Sequence, residues 1–334
     1  MTQQQTQIRL AQRPDGLPDD STWTISQGPV PSIEEGQVLV KVLYLSVDPA
    51  MRTWLYPGRS YIAPVEVGDV MRAGGVGKVV SSNNPRFAEG DHVVGMMGWQ
   101  QYMAMDGRGL QKIDPKVAPL SWFLGVLGIT GLTAYFGLLD VGEPKEGQTV
   151  LVSGAAGAVG SIVGQIAKIK GCRAVGVAGG PVKCQRLTEF FGYDAAIDYK
   201  GGDVRTQLKA ACPDRVDVYF DNVGGPLLDT VLLRINQRAR IVICGAISQY
   251  NDMRSMSGPN NYMQLLINRA RMEGFVVFDY AQRYGEAIAQ MAGWIQGGQL
   301  KHREHIVEGI ENCPEALRML FAGANQGKLI VQVG

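Results

Sequence analysis

The chain has 334 residues, enough for two domains of ordinary size, each with its own core. A formal net charge of +1 leaves no basic field for nucleic acid or for an anionic membrane surface, so the expected partner is a small molecule. Five cysteines without a C-x-x-C pair, behind a polar start that reads as no secretory signal, exclude a disulfide scaffold and fit reduced thiols in a cytoplasm.

In chain order, Ile25 to Val47 alternates apolar and polar residues with turns at Gly28-Pro29 and Glu35-Gly36, which predicts short antiparallel strands, VLVKVLYLSV the clearest. Gly74–Val80 and Asp91–Met97 add two more, and together they predict a small β-barrel. The loop Trp54 to Ile62, rich in tyrosine, arginine and glycine, reads either as a pocket wall or as a surface loop that packs its own aromatics. Val117 to Leu139 carries no charge and is as long as a bilayer helix. Its five Gly and Pro residues and its place directly before the next domain favour a buried helix and hinge.

After residue 148 the pattern becomes alternating strand and helix, the signature of a doubly wound parallel sheet. Strands are expected at Thr149–Val152, Arg173–Ala178, Ala195–Asp198, Val216–Phe220, Arg240–Cys244 and Gly274–Phe278. Helices are expected at Lys183–Phe191, Asp203–Ala211, Pro226–Ile235, Tyr262–Arg271 and Tyr284–Ile295, and the pieces beyond Gly297-Gly298 read as a return to the first domain.

The first of these strands runs into Gly154, Gly157 and Gly160, spaced G-x-x-G-x-x-G, and then into a helix whose Val159, Ile162, Val163, Ile166 and Ile169 share a face. Such a turn lets a pyrophosphate approach backbone amides at a helix N-terminus. About twenty residues further on, an NAD-binding chain would place an acid on the adenosine ribose. This one reads Gly179-Gly180-Pro181-Val182-Lys183, with Arg186 beyond, which favours the 2′-phosphate of NADPH; Lys183 on the mere solvent face of a helix is the plainer alternative. Metal ligands are missing. No cysteine precedes Cys172, His92 is the one histidine before it, and His302 and His305 have no cysteine companion at zinc spacing.

The stretches SVDPAMR (Ser46 to Arg52), GVLGITGLTAY (Gly125 to Tyr135), GAAGAVGSIVGQIAKIKGC, DNVGG (Asp221 to Gly225), GAISQYN (Gly245 to Asn251) and MEGFVV (Met272 to Val277) resemble the zinc-independent medium-chain reductases, in the group of leukotriene B4 dehydrogenase, prostaglandin reductase and curcumin reductase. Ser46 stands where zinc-using relatives would have a metal cysteine. The resemblance implies a GroES-like β-barrel domain (1–126 and 304–334), a Rossmann domain (127–303), NADPH, a homodimer, and reduction of a carbon–carbon double bond conjugated to a carbonyl. By motif it brings Gly154, Ala155, Gly157, Ala158, Val159 and Gly160 to the cofactor, Lys183 to the 2′-phosphate and Tyr199 to the adenosine. Asn222, the run Cys244, Gly245, Ala246, Ile247, Ser248 and Tyr250, then Phe275, Val276, Val277 and Asn325 complete the cofactor set. The family's substrate tyrosine falls on Tyr61 in SYIAP. Without a metal, hydrogen-bond donors must stabilise the enolate oxygen, and Tyr250 with a ribose hydroxyl is the first candidate pair. A quinone reductase and a non-catalytic NADPH-binding protein are the rival readings.

Overall fold

The computed structural model describes residues 3–334 as two compact units. The first holds the chain up to Gly125 with Glu304–Asn325 and Leu329–Gly334; the second holds Val126–Arg303 with Gln326–Lys328.

In the first unit a hairpin of Gln4–Leu10 and Trp23–Pro29 accompanies a barrel-like seven-stranded sheet. Its order is Glu304–Glu308, Lys328–Gln332, Val38–Ser46, Gly74–Ser82, His92–Met96 and Gln111–Ile113, with Tyr102–Met105 also paired to Val38–Ser46. The alternation read from VLVKVLYLSV is what the sheet uses: Val38, Val40 and Val42 are fully buried in one core with Ile8, Leu10 and Trp99. Each such valine contributes about 1.5–3 kcal/mol relative to an exposed one. After the short helix Met51–Trp54 comes the loop bearing Tyr61, whose side chain is 55% exposed.

The second unit is a six-stranded sheet in the order 195–198, 173–178, 149–152, 216–221, 235–243, 271–274, with parallel pairing throughout. The chain winds outward one way from 149–152, then crosses to 216–221 and winds the other way, so the order reverses between these two strands. Crevices at such a reversal, beyond the strands' carboxyl ends, are where ligands of this architecture bind. The central strands are apolar because both faces are covered: Val150, Leu151, Val152, Val218, Tyr219 and Phe220 are all fully buried.

Several expected bounds are corrected: the helix expected at Pro226–Ile235 spans Gly225–Leu232, and Ile235 already opens the strand Ile235–Ile243, expected to start at Arg240. The sixth strand is Arg271–Gly274, not Gly274–Phe278, and Val277–Arg283 is a 3-10 turn. The strand is the sheet's edge, so its residues are charged and mostly exposed, while the apolar run after it leaves the ladder and seats Phe275 edge-on to Phe220 at 6.4 Å. The helix expected over Tyr262–Arg271 spans Met263–Asn268, because Arg269 takes a left-handed φ of 47° and stops it. The uncharged stretch Val117–Leu139 is broken into a 3-10 turn, Leu120–Leu124, and a helix, Ile129–Phe136, that passes into a π-helical turn, Gly137–Gly142. Among the described residues no helix is long and apolar enough to cross a membrane.

Candidate dinucleotide site

Beyond the buried strand Thr149–Val152, Gly154 takes φ +58°, a value that glycine adopts without strain, and turns the chain toward the helix Ala158–Ile169. That helix begins at Gly157, which supplies no side-chain cap, so the amides of its first turn take no acceptor from the cap residue. A Cβ on Gly160 would overlap the Gly154 carbonyl oxygen and lie 2.7 Å from Ala155 Cα. The turn therefore closes only on glycine at that position; Ala155 N and Gly157 N are spent on the Val177 and Gly154 carbonyls, and what the turn leads into is the N-terminus of a helix, the positive end of its dipole. Anionic phosphate fits there. Gly160→Ala is expected to cost about 1–3 kcal/mol of stability by overpacking, read as a lower midpoint of thermal unfolding.

Two more strand ends converge on this turn. Asn222 donates its side-chain amide to the Ser153 carbonyl at 2.7 Å and its backbone N–H to Ser153 Oγ at 2.8 Å. Ile247 N donates to the Asn222 carbonyl at 3.2 Å, and the Ser248 backbone N–H and Oγ both donate to the Val223 carbonyl, at 3.2 and 2.6 Å. The segments 153–157, 221–225 and 244–250 thus form one hydrogen-bonded group at the carboxyl ends of adjacent strands. Within it Tyr250 folds back: its hydroxyl accepts from the Ala246 N–H at 3.0 Å, and a Cβ on Gly245 would come to 2.6 Å from that oxygen. Cys244 is no nucleophile, because burial, with the Asp221 carboxyl second, pushes its thiol up to about 12.

A second cluster sits at the ends of strands 173–178 and 195–198. A side chain at Gly179 would require the Tyr199 ring to move, since a Cβ there would lie 2.8 Å from it. Asp198, the acid closest to this corner in the chain, is committed to backbone amides: its Oδ1 accepts from Gly180 N at 2.7 Å and Lys200 N at 2.9 Å. Lys183, two residues into the helix Pro181–Glu189, has its ammonium held below the ordinary lysine range by burial and then by the like charges of Lys200 and Arg186. Cations gathered against their own repulsion are what a phosphate site requires, and the group is rich in donors. Arg186 also donates to Gln326 Oε1 at 3.2 Å, and Arg303 to the same oxygen at 2.9 Å.

The structure therefore brings Gly154, Ala155, Gly157, Ala158, Val159, Gly160, Asn222 and Cys244 through Tyr250 to one crevice, and Lys183 and Tyr199 to one corner of the same unit. Phe275 packs on Phe220, and a Cβ on Gly137 would overlap the Phe275 ring and lie 2.8 Å from the Phe220 ring; Val277 is buried with its carbonyl accepting from Tyr284 OH at 3.0 Å. Tyr61 and Asn325 belong to the first unit. Ser153, Asp221 and Lys200 were passed over in the sequence. Lys200 directly follows Tyr199 at a strand end, and Asp221 heads DNVGG, so position relative to the strand ends was the available signal. Among the described residues no group of three or more His, Cys, Asp or Glu is arranged to hold a metal ion, and Ser46 Oγ instead donates to Asp48 Oδ2.

The chain is similar over nearly its whole length to known oxidoreductases. Residues 6–113 match the family model described as the N-terminal domain of oxidoreductase, and residues 158–293 match the model described as zinc-binding dehydrogenase. The chain is 43% identical to the NADPH-dependent curcumin reductase of Escherichia coli over 97% of this chain and 95% of that protein. It is 42% identical to the NADP+-dependent 2-alkenal reductase of Nicotiana tabacum over 98% of this chain and 97% of that one. The crystal structure of CurA from Vibrio vulnificus in complex with NADPH superposes with a TM-score of 0.95, at 44% identity, covering 98% of this chain and 99% of that chain.

Proposed function

The chain belongs to the zinc-independent medium-chain dehydrogenase/reductase family, and from that premise we propose that it is an NADPH-dependent reductase of the carbon–carbon double bond in α,β-unsaturated aldehydes and ketones. The observation that carries the reading is the pairing of a glycine turn into an uncapped helix N-terminus with the Lys183, Lys200 and Arg186 corner on one sheet, a place for a pyrophosphate and a place for a 2′-phosphate. The relatives whose names specify NADPH and an alkenal support it.

In this reading NADPH supplies a hydride for the β-carbon of the substrate. The amides of the 154–160 turn hold the pyrophosphate, Lys183 takes the 2′-phosphate, and the Tyr199 ring lines the adenosine side. Asn222, fixed through both its amides by Ser153, holds the nicotinamide end, along with the 244–250 loop, Phe275 to Val277, and Asn325. Tyr250, whose hydroxyl accepts from Ala246 N, donates a hydrogen bond to the carbonyl oxygen as negative charge collects there. Tyr61, on the exposed loop of the first unit, is the second candidate donor. We further propose a homodimer working in the cytoplasm, where all five unbridged cysteines would stay reduced.

The test is NADPH consumption with short alkenals, cyclic enones, bulky dienones and quinones, in the presence and absence of a chelator, with products identified by mass. Saturated aldehydes or ketones, formed equally with chelator, are the expected result. Turnover of quinones alone, consumption with no substrate reduced, or activity restored only by zinc would each replace this reading with another.

A further inference from the structure

Resting on the reading that this crevice holds NADPH, we propose that the buried carboxyl of Asp221 is a positioning residue that sets Asn222 and the flanking loops for the cofactor, acting through Ser153. Asp221 has no exposed surface, and its Oδ1 accepts four hydrogen bonds: from Ser153 Oγ and Tyr219 OH at 2.8 Å, Val223 N at 2.9 Å and Gly224 N at 3.0 Å. Its main-chain carbonyl accepts from Cys244 N at 2.9 Å and Gly245 N at 3.1 Å. One residue therefore joins the ends of all three central strands.

The direction of the Ser153 bond carries the inference. A hydroxyl has one proton; with that proton given to Asp221 Oδ1, Oγ can only accept from the Asn222 N–H, which it does at 2.8 Å. The Ser153 carbonyl then takes the Asn222 side-chain amide at 2.7 Å, so both amides of Asn222 are set by a serine whose orientation Asp221 dictates. The other carboxyl oxygen, Oδ2, is buried with no hydrogen-bond partner among the described residues. An orphan acceptor is destabilising, and it persists here where Oδ1 is committed fourfold to the loops. Tyr219 donates to the same oxygen from inside the apolar core, clustered with Leu151, Val175 and Leu228, and its hydroxyl also meets Ser153, but it bonds to neither Asn222 nor a loop amide.

Ser153→Ala and Tyr219→Phe each delete one bond to Oδ1, and only the first also removes the acceptor of the Asn222 backbone N–H, leaving the side-chain bond to the Ser153 carbonyl. Isothermal titration with NADPH is expected to show about tenfold weaker binding for S153A, as befits the loss of a buried hydrogen-bond network at the ligand, and parental affinity for Y219F. Hydrogen exchange of the proteins without cofactor is expected to be faster over residues 221–225 in S153A than in Y219F. Asp221→Ala leaves four buried donors unpaired and risks failing to fold, which is why the contrast uses the two milder variants. Equal weakening in both variants, or parental affinity and exchange in S153A, would overturn the positioning role while leaving the cofactor assignment intact. A parent protein that binds no NADPH would overturn the assignment itself.

Discussion

Replacing Lys183 with alanine is expected to weaken NADPH binding about ten- to hundredfold and to leave NADH binding nearly unchanged. A hydrogen bond to a charged group contributes about 1.5–3 kcal/mol, and the 2′-phosphate is the only part of the cofactor that NADH lacks. The surroundings sharpen the expectation. Asp198, the acid closest to this corner in the chain, has its Oδ1 on the Gly180 and Lys200 amides, and an acid at Gly179 could not be seated without displacing Tyr199, whose ring lies 2.8 Å from where its Cβ would be. The pH dependence has a definite sign. Burial and the neighbouring Lys200 and Arg186 lower the Lys183 pKa, so in the free protein its charge is fully present at low pH and is lost at a pH below the ordinary lysine range. NADPH affinity should fall as pH rises through that region, and NADH affinity should stay flat there. The measurement is the dissociation constant of both cofactors, for parent and K183A, across an alkaline pH series. Equal losses for NADPH and NADH would show that Lys183 is only a solvent-facing helix residue.

How much of this was legible in the sequence depended on burial. The strands Thr149–Val152 and Arg173–Ala178 could be read to the residue, because a parallel strand covered on both faces leaves an apolar or small-residue run with a turn at its end. Arg271–Gly274 could not, since RMEG lies at the sheet's edge, where Arg271 pairs with Glu273 in solvent and no apolar signal is required. The apolar residues that follow it looked like a strand but are used to cap the sheet. In the site, glycines were legible because close approach demands them. Asp221 was not: a buried acid is distinguished from a surface acid only by its partners, and those come from residues 153, 219 and 223–224. Asn222 was found through its motif, whereas the reason for its fixed posture, the serine sixty-nine positions earlier, became visible only with the fold.

Tyr250→Phe is expected to lower the rate of enone reduction about a hundredfold or more while NADPH dissociation changes little. Removing a single donor to a developing oxyanion costs ~2.7–4 kcal/mol in other enzymes, equivalent to about 10²–10³ in turnover. The phenol's posture supplies a second, independent probe. Gly245 leaves the space into which the hydroxyl folds, and a Cβ there would lie 2.6 Å from it. Gly245→Ala keeps the phenol and its proton but pushes the oxygen out of place, so a transition-state role predicts that G245A and Y250F lower turnover together. A ribose-binding role separates them from this pattern: Y250F would then bind NADPH more weakly and reach the parental rate at saturation. Single-turnover measurements, in which hydride transfer is observed directly, decide between the two. If Y250F binds NADPH as the parent does and transfers hydride to a good enone equally fast, the phenol carries no chemistry. The donor must then come from elsewhere, and Tyr61→Phe becomes the variant in which the same loss of turnover is expected.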